Sequence, residues 1–169
     1  MLQRGHQTIP AAFAKSTALP RLDRGAYDRL MPSIRETGII EIEGIGPAYT
    51  AKLRLAGITT VEGLLEMGRS RKGRSEIAQK SGLSEHQILE WVNRADLARV
   101  QGVGSEYADL LEASGVDSCA ELAQRNAANL TKKMTDVNAV KNLVRALPAE
   151  VVVEGWIEEA KRIKIAVEH

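Results

Sequence analysis

The sequence contains little cysteine and no long apolar run, and each shortage narrows the classes of protein it can encode. Its single cysteine, Cys119, supports neither a disulfide framework nor a cysteine-based metal site, and we expect it to pack as a small buried side chain. No apolar run approaches the roughly 18 residues that a membrane span needs. The first residues also lack an apolar stretch of signal-peptide length. We therefore expect a cytoplasmic protein with no membrane partner.

An excess of charge of one sign is also missing. The 169 residues include 23 Lys and Arg against 22 Asp and Glu, a formal net charge of +1. Dedicated nucleic-acid-binding domains are usually far more basic, so any contact with nucleic acid should be local. The three histidines, His6, His86 and His169, lack the spacing of a metal site, and we predict no metal and no bound cofactor. Aromatic residues make up only 4%, which favours an all-α fold over strands.

What the sequence does contain is one short pattern written twice. The first copy begins at Gly44 and the second at Gly102, so the offset is 102 − 44 = 58 residues. Each copy reads Gly, apolar, Gly, two further residues and Tyr, then Leu and Gly at four-residue intervals. Glycines around one apolar residue allow positive φ, and Pro47 suits the first position of a helix. The pattern predicts a tight turn followed by a helix whose first N–H groups face solvent and attract anions.

At these residues the sequence resembles the helix-hairpin-helix family, whose hairpin reads apolar, any residue, Gly, Ile, Gly before a helix. The order of the whole, with Trp91 and Ala95-Asp96-Leu97 between the hairpins, resembles the DUF4332 proteins, which carry two such hairpins. The resemblance covers most of the chain, residues 39 to 165. It implies two helix-hairpin-helix repeats packed about a pseudo-twofold axis. In helix-hairpin-helix proteins the loop N–H groups hold a phosphate oxygen of a nucleic acid, often with a monovalent cation on the loop carbonyls, and read no base sequence.

We predict three segments: an N-terminal arm, partly helical, over residues 1–38, a first repeat over 39–97 and a second over 98–169. Residues 39–169 should form one compact unit. Six basic and three acidic side chains give the arm a charge of 6 − 3 = +3. Two hypotheses remain for it. It could dock on the core or on another subunit, as in a homodimer, or it could contact nucleic acid as a flexible basic arm.

Several helix boundaries are predicted from local patterns. Capping boxes predict helix starts at Thr59, Ser84 and Ser118. Helices are also predicted over 126–147, ended by Pro148, and over 151–165. Trp91 and Trp156 should pack in the core. The side chains expected at the junction between the repeats are Ile45, Leu53, Val103 and Leu111.

The candidate nucleic-acid-binding residues belong to the two hairpin loops or are basic residues that follow the first loop in the sequence. The loops are Gly44, Ile45, Gly46 and Gly102, Val103, Gly104; the cations are Lys52, Arg54, Arg69, Arg71, Lys72 and Arg74. The cluster from Arg69 to Arg74 is predicted as a loop between two helices. The second hairpin is instead followed by Glu106, Asp109 and Glu112, which would repel a phosphate.

These observations favour a non-enzymatic module that binds DNA backbone weakly, without sequence preference and with a steep salt dependence. The alternative is a scaffold that uses the same fold to bind proteins and no nucleic acid, which the near-zero net charge favours. A third hypothesis is a lyase with Lys52 as Schiff-base nucleophile, although no pattern marks this lysine and no catalytic constellation is visible.

Overall fold

The computed structural model describes residues 37–164 and 167–169, so the predicted arm lies almost wholly outside the described residues. Within these ranges the chain forms one short 3-10 helix and eight α-helices, and its extended pairing is limited to one antiparallel bridge between Gly38 and Thr60. The all-α prediction is confirmed for this part of the chain. The elements are the 3-10 helix Ile39–Glu41, α1 Pro47–Leu55, α2 Val61–Gly68, α3 Arg71–Ser81, α4 Glu85–Leu97, α5 Ser105–Ala113, α6 Cys119–Leu122, α7 Ala127–Lys141 and α8 Glu150–Arg162.

Two of the predicted helix starts are confirmed by their capping geometry. The Ser84 hydroxyl accepts a hydrogen bond from the Gln87 N–H at 3.2 Å at the start of α4. The Ser118 hydroxyl accepts one from the Glu121 N–H at 3.3 Å at the start of α6. Each cap satisfies an N–H group that has no partner inside its helix.

The third predicted start is wrong by one residue. Thr60, not Thr59, caps α2, since its hydroxyl accepts a hydrogen bond from the Gly63 N–H at 3.0 Å. The carbonyl of Thr59 instead accepts a hydrogen bond from the Ile39 N–H at 3.0 Å, beside the bridge to Gly38. Thr60 itself is extended, with φ −125° and ψ 159°, and pairs with Gly38, so the helix begins only after it.

The helix α7 ends well before Pro148, which the sequence had predicted as its stop. Asn142 adopts a left-handed conformation with φ 50°, and its N–H donates to the Asn138 carbonyl at 2.8 Å. The Asn138 side chain then holds the main chain of Val144 through bonds of 3.0 and 3.1 Å. Local asparagine bonds therefore end the helix before proline can. The helix predicted over 151–165 is confirmed as α8, with an earlier end.

The apolar side chains form two separate clusters. The first lies among the 3-10 helix and α1 to α4, around fully buried side chains such as Leu53 and Leu64. The second lies among α5 to α8, around Leu110, Leu111 and Met134. Each cluster is thus enclosed largely by its own set of helices, and the two sets are joined through α4 and α5.

The predicted junction between the repeats is therefore wrong in its residues. Ile45 and Leu53 belong to the first cluster, and Val103 and Leu111 belong to the second. Each side chain packs in the cluster of its own set of helices, so it needs no partner from the other set. The described residues all belong to one compact unit, and the boundaries at 39, 98 and 169 stay predictions.

Candidate nucleic-acid interface

The two glycine turns have nearly identical backbones. Gly44 and Gly102 adopt φ values of +85° and +86°, a region that side-chain-bearing residues avoid. Two residues later, Gly46 and Gly104 share φ −84°, with ψ values of −178° and −176°. Glycines that lie 58 residues apart in the sequence thus have nearly equal dihedral angles.

Each turn is closed by one internal hydrogen bond. The Ile45 N–H donates to the Ile42 carbonyl at 3.0 Å, and the Val103 N–H donates to the Val100 carbonyl at 3.1 Å. Ile45 and Val103 are both buried. Their N–H groups are already used, which removes them from the set of predicted phosphate donors.

An indole ring packs against each turn. Trp91 and Trp156 are both 4% exposed, which confirms their predicted core position. Their ring centroids each lie 5.2 Å from a tyrosine ring, that of Tyr49 and that of Tyr107 respectively. A Cβ atom added at the first glycine of either turn would lie 3.4 or 3.3 Å from the indole Nε1. These glycines therefore serve both positive φ and the close approach of an indole.

The helices that follow the turns begin without a side-chain cap. Gly46 and Gly104 carry no side chain for α1 and α5, whereas Thr60, Ser70, Ser84, Ser118 and Asn126 cap α2, α3, α4, α6 and α7. In α1 the N–H groups of Ala48 and Tyr49 lie in the first turn and have no intrahelical acceptor. An open depression of about 530 Å³ lies beside this turn, lined by residues 40–46 and by Ser105.

The charges around the first turn differ from the prediction. Lys52 and Arg54 are exposed in the last turn of α1, roughly 8 and 10 Å along the helix axis from its start. Glu41 and Glu43 are exposed and line the depression. The predicted cations are thus at the far end of the helix, and two carboxylates, visible in the sequence but not weighed, stand nearer to the turn.

The acidic side chains after the second turn are partly neutralised by Arg94, which the sequence analysis missed. Its Nη2 lies 3.2 Å from Asp109 Oδ1 and 3.3 Å from Glu112 Oε2. Its Nη1 donates to the Glu43 carbonyl at 3.0 Å, so it connects α5 to the first turn. Burial raises the pKa of Asp109, while the Arg94 guanidinium opposes this rise and Glu43 adds to it. Glu106 remains exposed in the first turn of α5.

The basic cluster is not a loop, contrary to the prediction. The Ser70 hydroxyl accepts a hydrogen bond from the Gly73 N–H at 3.1 Å, and α3 begins at Arg71. Lys72 is exposed on this helix, with its Nζ 4.0 Å from Glu76 Oε1. A capping serine inside a basic run was the sequence signal for this helix start, and it was overlooked.

Arg74 is excluded as a phosphate ligand because its guanidinium is buried and already bonded. The residue is 4% exposed. Its nitrogens donate to the carbonyls of Gly68, Arg69 and Glu168 at 2.9, 3.2 and 2.7 Å. Burial, and then repulsion from Arg71, lowers the pKa of Arg74. One of the four cations of the predicted basic cluster thus has a structural role, while Arg69, Arg71 and Lys72 are exposed.

The described residues carry a small negative formal charge. Residues 37–164 and 167–169 contain 17 Lys and Arg against 19 Asp and Glu, which gives 17 − 19 = −2. Such a sum provides no general attraction for a polyanion. Any binding of nucleic acid to this part of the chain must depend on local geometry.

The structure offers little for metal or thiol chemistry in its described part. No group of three potential ligands among His, Cys, Asp and Glu is found there. Cys119 is buried, and its thiol donates to the Asp96 carbonyl at 3.0 Å. Burial raises the pKa of this thiol, which disfavours the reactive thiolate. Lys52 is exposed on α1.

A family model described as Domain of unknown function (DUF4332) matches residues 43–163, a range that contains both turns and both indoles. The chain belongs to the DUF4332 family. No curated protein and no solved structure matches this DUF4332 sequence. Among the described residues, none of the helices combines the length and apolarity required to cross a bilayer.

Proposed function

We propose that this DUF4332 protein is a non-enzymatic binding module built from two helix-hairpin-helix repeats related by a pseudo-twofold axis, and that it binds another protein. The matched turns, with φ +85° and +86° and an indole against each, support the two-repeat description. The choice of a protein partner rests on where exposed apolar side chains are concentrated. It also agrees with the formal charge of −2 over the described residues.

Among the described residues, four of the seven large exposed apolar side chains lie within thirteen positions of the chain. Val140 is 85% exposed in the last turn of α7, and Val151 is 71% exposed in the first turn of α8. Leu147 and Val152 are 41% and 43% exposed. We call these four residues the apolar corner. Isolated apolar side chains are normal on a surface, but a concentration of them is typical of an interaction site.

The surroundings of the apolar corner fit a protein partner. Lys141, Arg145, Glu150 and Glu154 are exposed next to it in the sequence, two of each sign. Exposed charges of both signs next to exposed apolar residues are in keeping with a protein interface, which has an apolar centre and a polar rim. The core beneath is well supported, since α7 and α8 pack together and Val144 of their connection is buried. We expect a partner surface that is apolar at its centre.

A matched pair of variants tests this proposal. Val151→Asp places a charge in the apolar corner, and Leu55→Asp places one on α1 at the same exposure of 71%. Partners captured by the tagged full-length protein in native cells should be lost from the first variant and kept by the second. Both variants should retain the thermal stability of the parent. Retention of the same partner by Val151→Asp, or its loss from Leu55→Asp, would contradict the proposal.

A second candidate function is weak binding of nucleic-acid backbone at the first turn. It is supported by the uncapped start of α1, which has no acidic residue in its first turn. The donors would be the N–H groups of Gly44, Gly46 and Ala48, with Arg69 and Lys72 as exposed cations farther along the chain. The nearby Glu41 and Glu43 oppose it, which is why it stands second.

Titration of duplex and single-stranded DNA at two salt concentrations separates the two candidates. If the protein binds only proteins, neither DNA should bind even at low salt. Binding that weakens steeply with salt would favour the second candidate. In that case Gly46→Glu, which adds a carboxylate at the start of α1, should reduce DNA binding, whereas Gly104→Glu at the matched position of α5 should change it less.

A further inference from the structure

The short segment 167–169 follows α8 but contacts the first set of helices. Val167 is 7% exposed and belongs to the first apolar cluster, far in sequence from its other members. The Glu168 N–H donates to the Arg69 carbonyl at 2.8 Å. Before the segment, the guanidinium of Arg99 donates to the Lys164 carbonyl at 2.8 Å. Residues 167–169, which are not helical, are therefore held by the buried side chain of Val167 and by hydrogen bonds of the main chain.

Two arginines bind the main-chain oxygens of this segment. Arg74 donates to the Glu168 carbonyl at 2.7 Å, and Arg71 donates to the main-chain oxygen of His169 at 2.7 Å. Arg74 also donates to two further carbonyls, those of Gly68 and Arg69. A buried guanidinium needs such acceptors, because an unpaired buried charge is strongly unfavourable. The segment thus completes the hydrogen bonding of a buried cation.

Two glycines shape the surface that receives the segment. A Cβ atom at Gly73 would lie 1.8 Å from the Met67 carbonyl oxygen, and one at Gly68 would lie 2.5 Å from Val92 Cγ2. The end of α2 therefore lies closer to α3 at Gly73, and closer to α4 at Gly68, than side chains would allow. In this arrangement the Arg69 carbonyl accepts hydrogen bonds from both the Glu168 N–H, at 2.8 Å, and Arg74 Nη1, at 3.2 Å.

We propose that the end of α2 and the first turn of α3 form a recognition site for an extended peptide, and that residues 167–169 of the same chain are its occupant. We call it the segment site; it consists of Gly68, Arg69, Arg71 and Arg74. It accepts one apolar side chain, one main-chain N–H and two successive main-chain oxygens. Selectivity comes from the apolar position, since Glu168 and His169 are exposed. The site is separate in residues from the apolar corner and does not depend on the function proposed there.

Main-chain recognition of this kind resembles strand addition, in which backbone bonds supply affinity and one pocket supplies specificity. In cis, the occupant benefits from a high effective concentration, so a free peptide cannot compete with it. The segment therefore holds the end of α8 to the first set of helices. It also keeps the segment site closed to other peptides.

A peptide-binding experiment tests the proposal. The probe is a fluorescently labelled peptide with the sequence of residues 164–169, added to the full chain and to a variant truncated after Lys164. Anisotropy should show saturable binding to the truncated variant and at least tenfold weaker binding to the full chain. A matched control peptide carrying Val167→Asp should bind the truncated variant at least tenfold more weakly. Equal binding to both proteins, or no binding to a folded truncated variant, would overturn the proposal.

A second measurement keeps the test valid if the truncated variant does not fold. Amide hydrogen exchange on the full chain reports whether the Glu168 N–H is bonded in solution. We expect exchange slowed on the order of tenfold or more, independent of protein concentration, as for a closed local structure. Arg71→Gln should speed this exchange without changing that of α5. Unprotected exchange, or protection that appears only at high concentration, would overturn occupancy in cis.

Discussion

The two glycine turns share a backbone but not a surface. The φ and ψ values of Gly46 and Gly104 differ by at most 2°, and each turn packs against an indole. The first turn leads into a helix with no acidic residue in its first turn and with Lys52 and Arg54 in its last. The second leads into a helix with Glu106 in its first turn. Glycine and tryptophan thus determine the turn, while the charges around it vary freely.

The helices after each turn differ more than the turns do. In the first set, α2 has eight residues, and α3 begins directly against it because Gly73 permits close contact. In the second set, α6 has four residues, and α7 begins with Asn126 as its cap and Asn129 at its third position. Among the described residues, the segment site is formed by α2 and α3, and α6 and α7 form no such site. The difference shows that a repeated turn need not produce a repeated binding surface.

The largest effect should come from removing the two indoles. Trp91→Ala and Trp156→Ala should each destabilise the protein by about 3–5 kcal/mol, because each leaves a large cavity beside a turn. Urea unfolding followed by far-UV circular dichroism measures both. Similar losses would support the equivalence of the two repeats. A loss below about 1 kcal/mol for either variant would contradict it.

The next largest change in stability should differ between the two sets of helices, at the starts of α3 and α7. Gly73→Ala should destabilise the protein by about 1–3 kcal/mol or more, since the added Cβ overlaps the main chain of Met67 and α3 must shift. Asn129→Ala, at the third position of α7, is exposed and should change stability by less than about 0.5 kcal/mol. Thermal and urea unfolding of the two variants measure the contrast. Equal effects would show that α3 and α7 start in equivalent environments.

A smaller effect should distinguish the two glycines within each turn. Gly44→Ala and Gly102→Ala should each cost about 1–2 kcal/mol, because alanine is strained at positive φ. Gly46→Ala and Gly104→Ala are the controls, at φ −84° with open space around the Cβ position. They should change stability by less than about 0.5 kcal/mol. Alanine is a poorer N-cap than glycine, which destabilises the fold, but it also makes the unfolded chain less flexible, which stabilises the fold by a similar amount. Unfolding free energies that fail to separate the pairs would contradict this account.

The smallest effect is a change in pH dependence at Arg94. Burial raises the pKa of Asp109 above its unfolded value, so ionised Asp109 lowers stability at neutral pH, and this loss disappears as the pH falls through the folded pKa. Arg94→Gln removes the cation that limits the rise. The variant should therefore lose more stability at pH 7 than at pH 4. Unfolding free energies of parent and variant at both pH values measure this difference.

The control for this prediction is Asp109→Asn in both backgrounds. It removes the partly buried carboxylate, so most of the pH dependence introduced by Arg94→Gln should disappear. An unchanged pH dependence after Asp109→Asn would show that Asp109 is not the titrating group.

Much of the fold could be predicted because its signals are local. Ser84 and Ser118 cap helices through an N–H three residues away, and both starts were predicted correctly. The matched apolar stripes placed Trp91 and Trp156 in the core. Where a long-range contact competed with a local signal, prediction failed: the pairing near Gly38 moved the start of α2 from Thr59 to Thr60.

The candidate site was less predictable because the sequence shows which residues are charged but not which groups they bond in the folded protein. Arg74 was one cation in a basic run, yet one of its acceptors is 94 residues away. Arg94 stood on a mostly buried helix, and its partners Glu43 and Glu112 lie 51 and 18 residues from it. Neither partner could be paired with it from spacing alone.

The sequence by itself determined the two turns and the helices after them, because positive φ at glycine, capping and apolar periodicity act over a few residues. Only the tertiary structure decided which cations stay exposed. A guanidinium bonds whichever carbonyls and carboxylates folding brings within about 3 Å, and those acceptors come from distant parts of the chain. Burial strengthens this dependence, because a buried guanidinium that loses its acceptors destabilises the folded protein strongly.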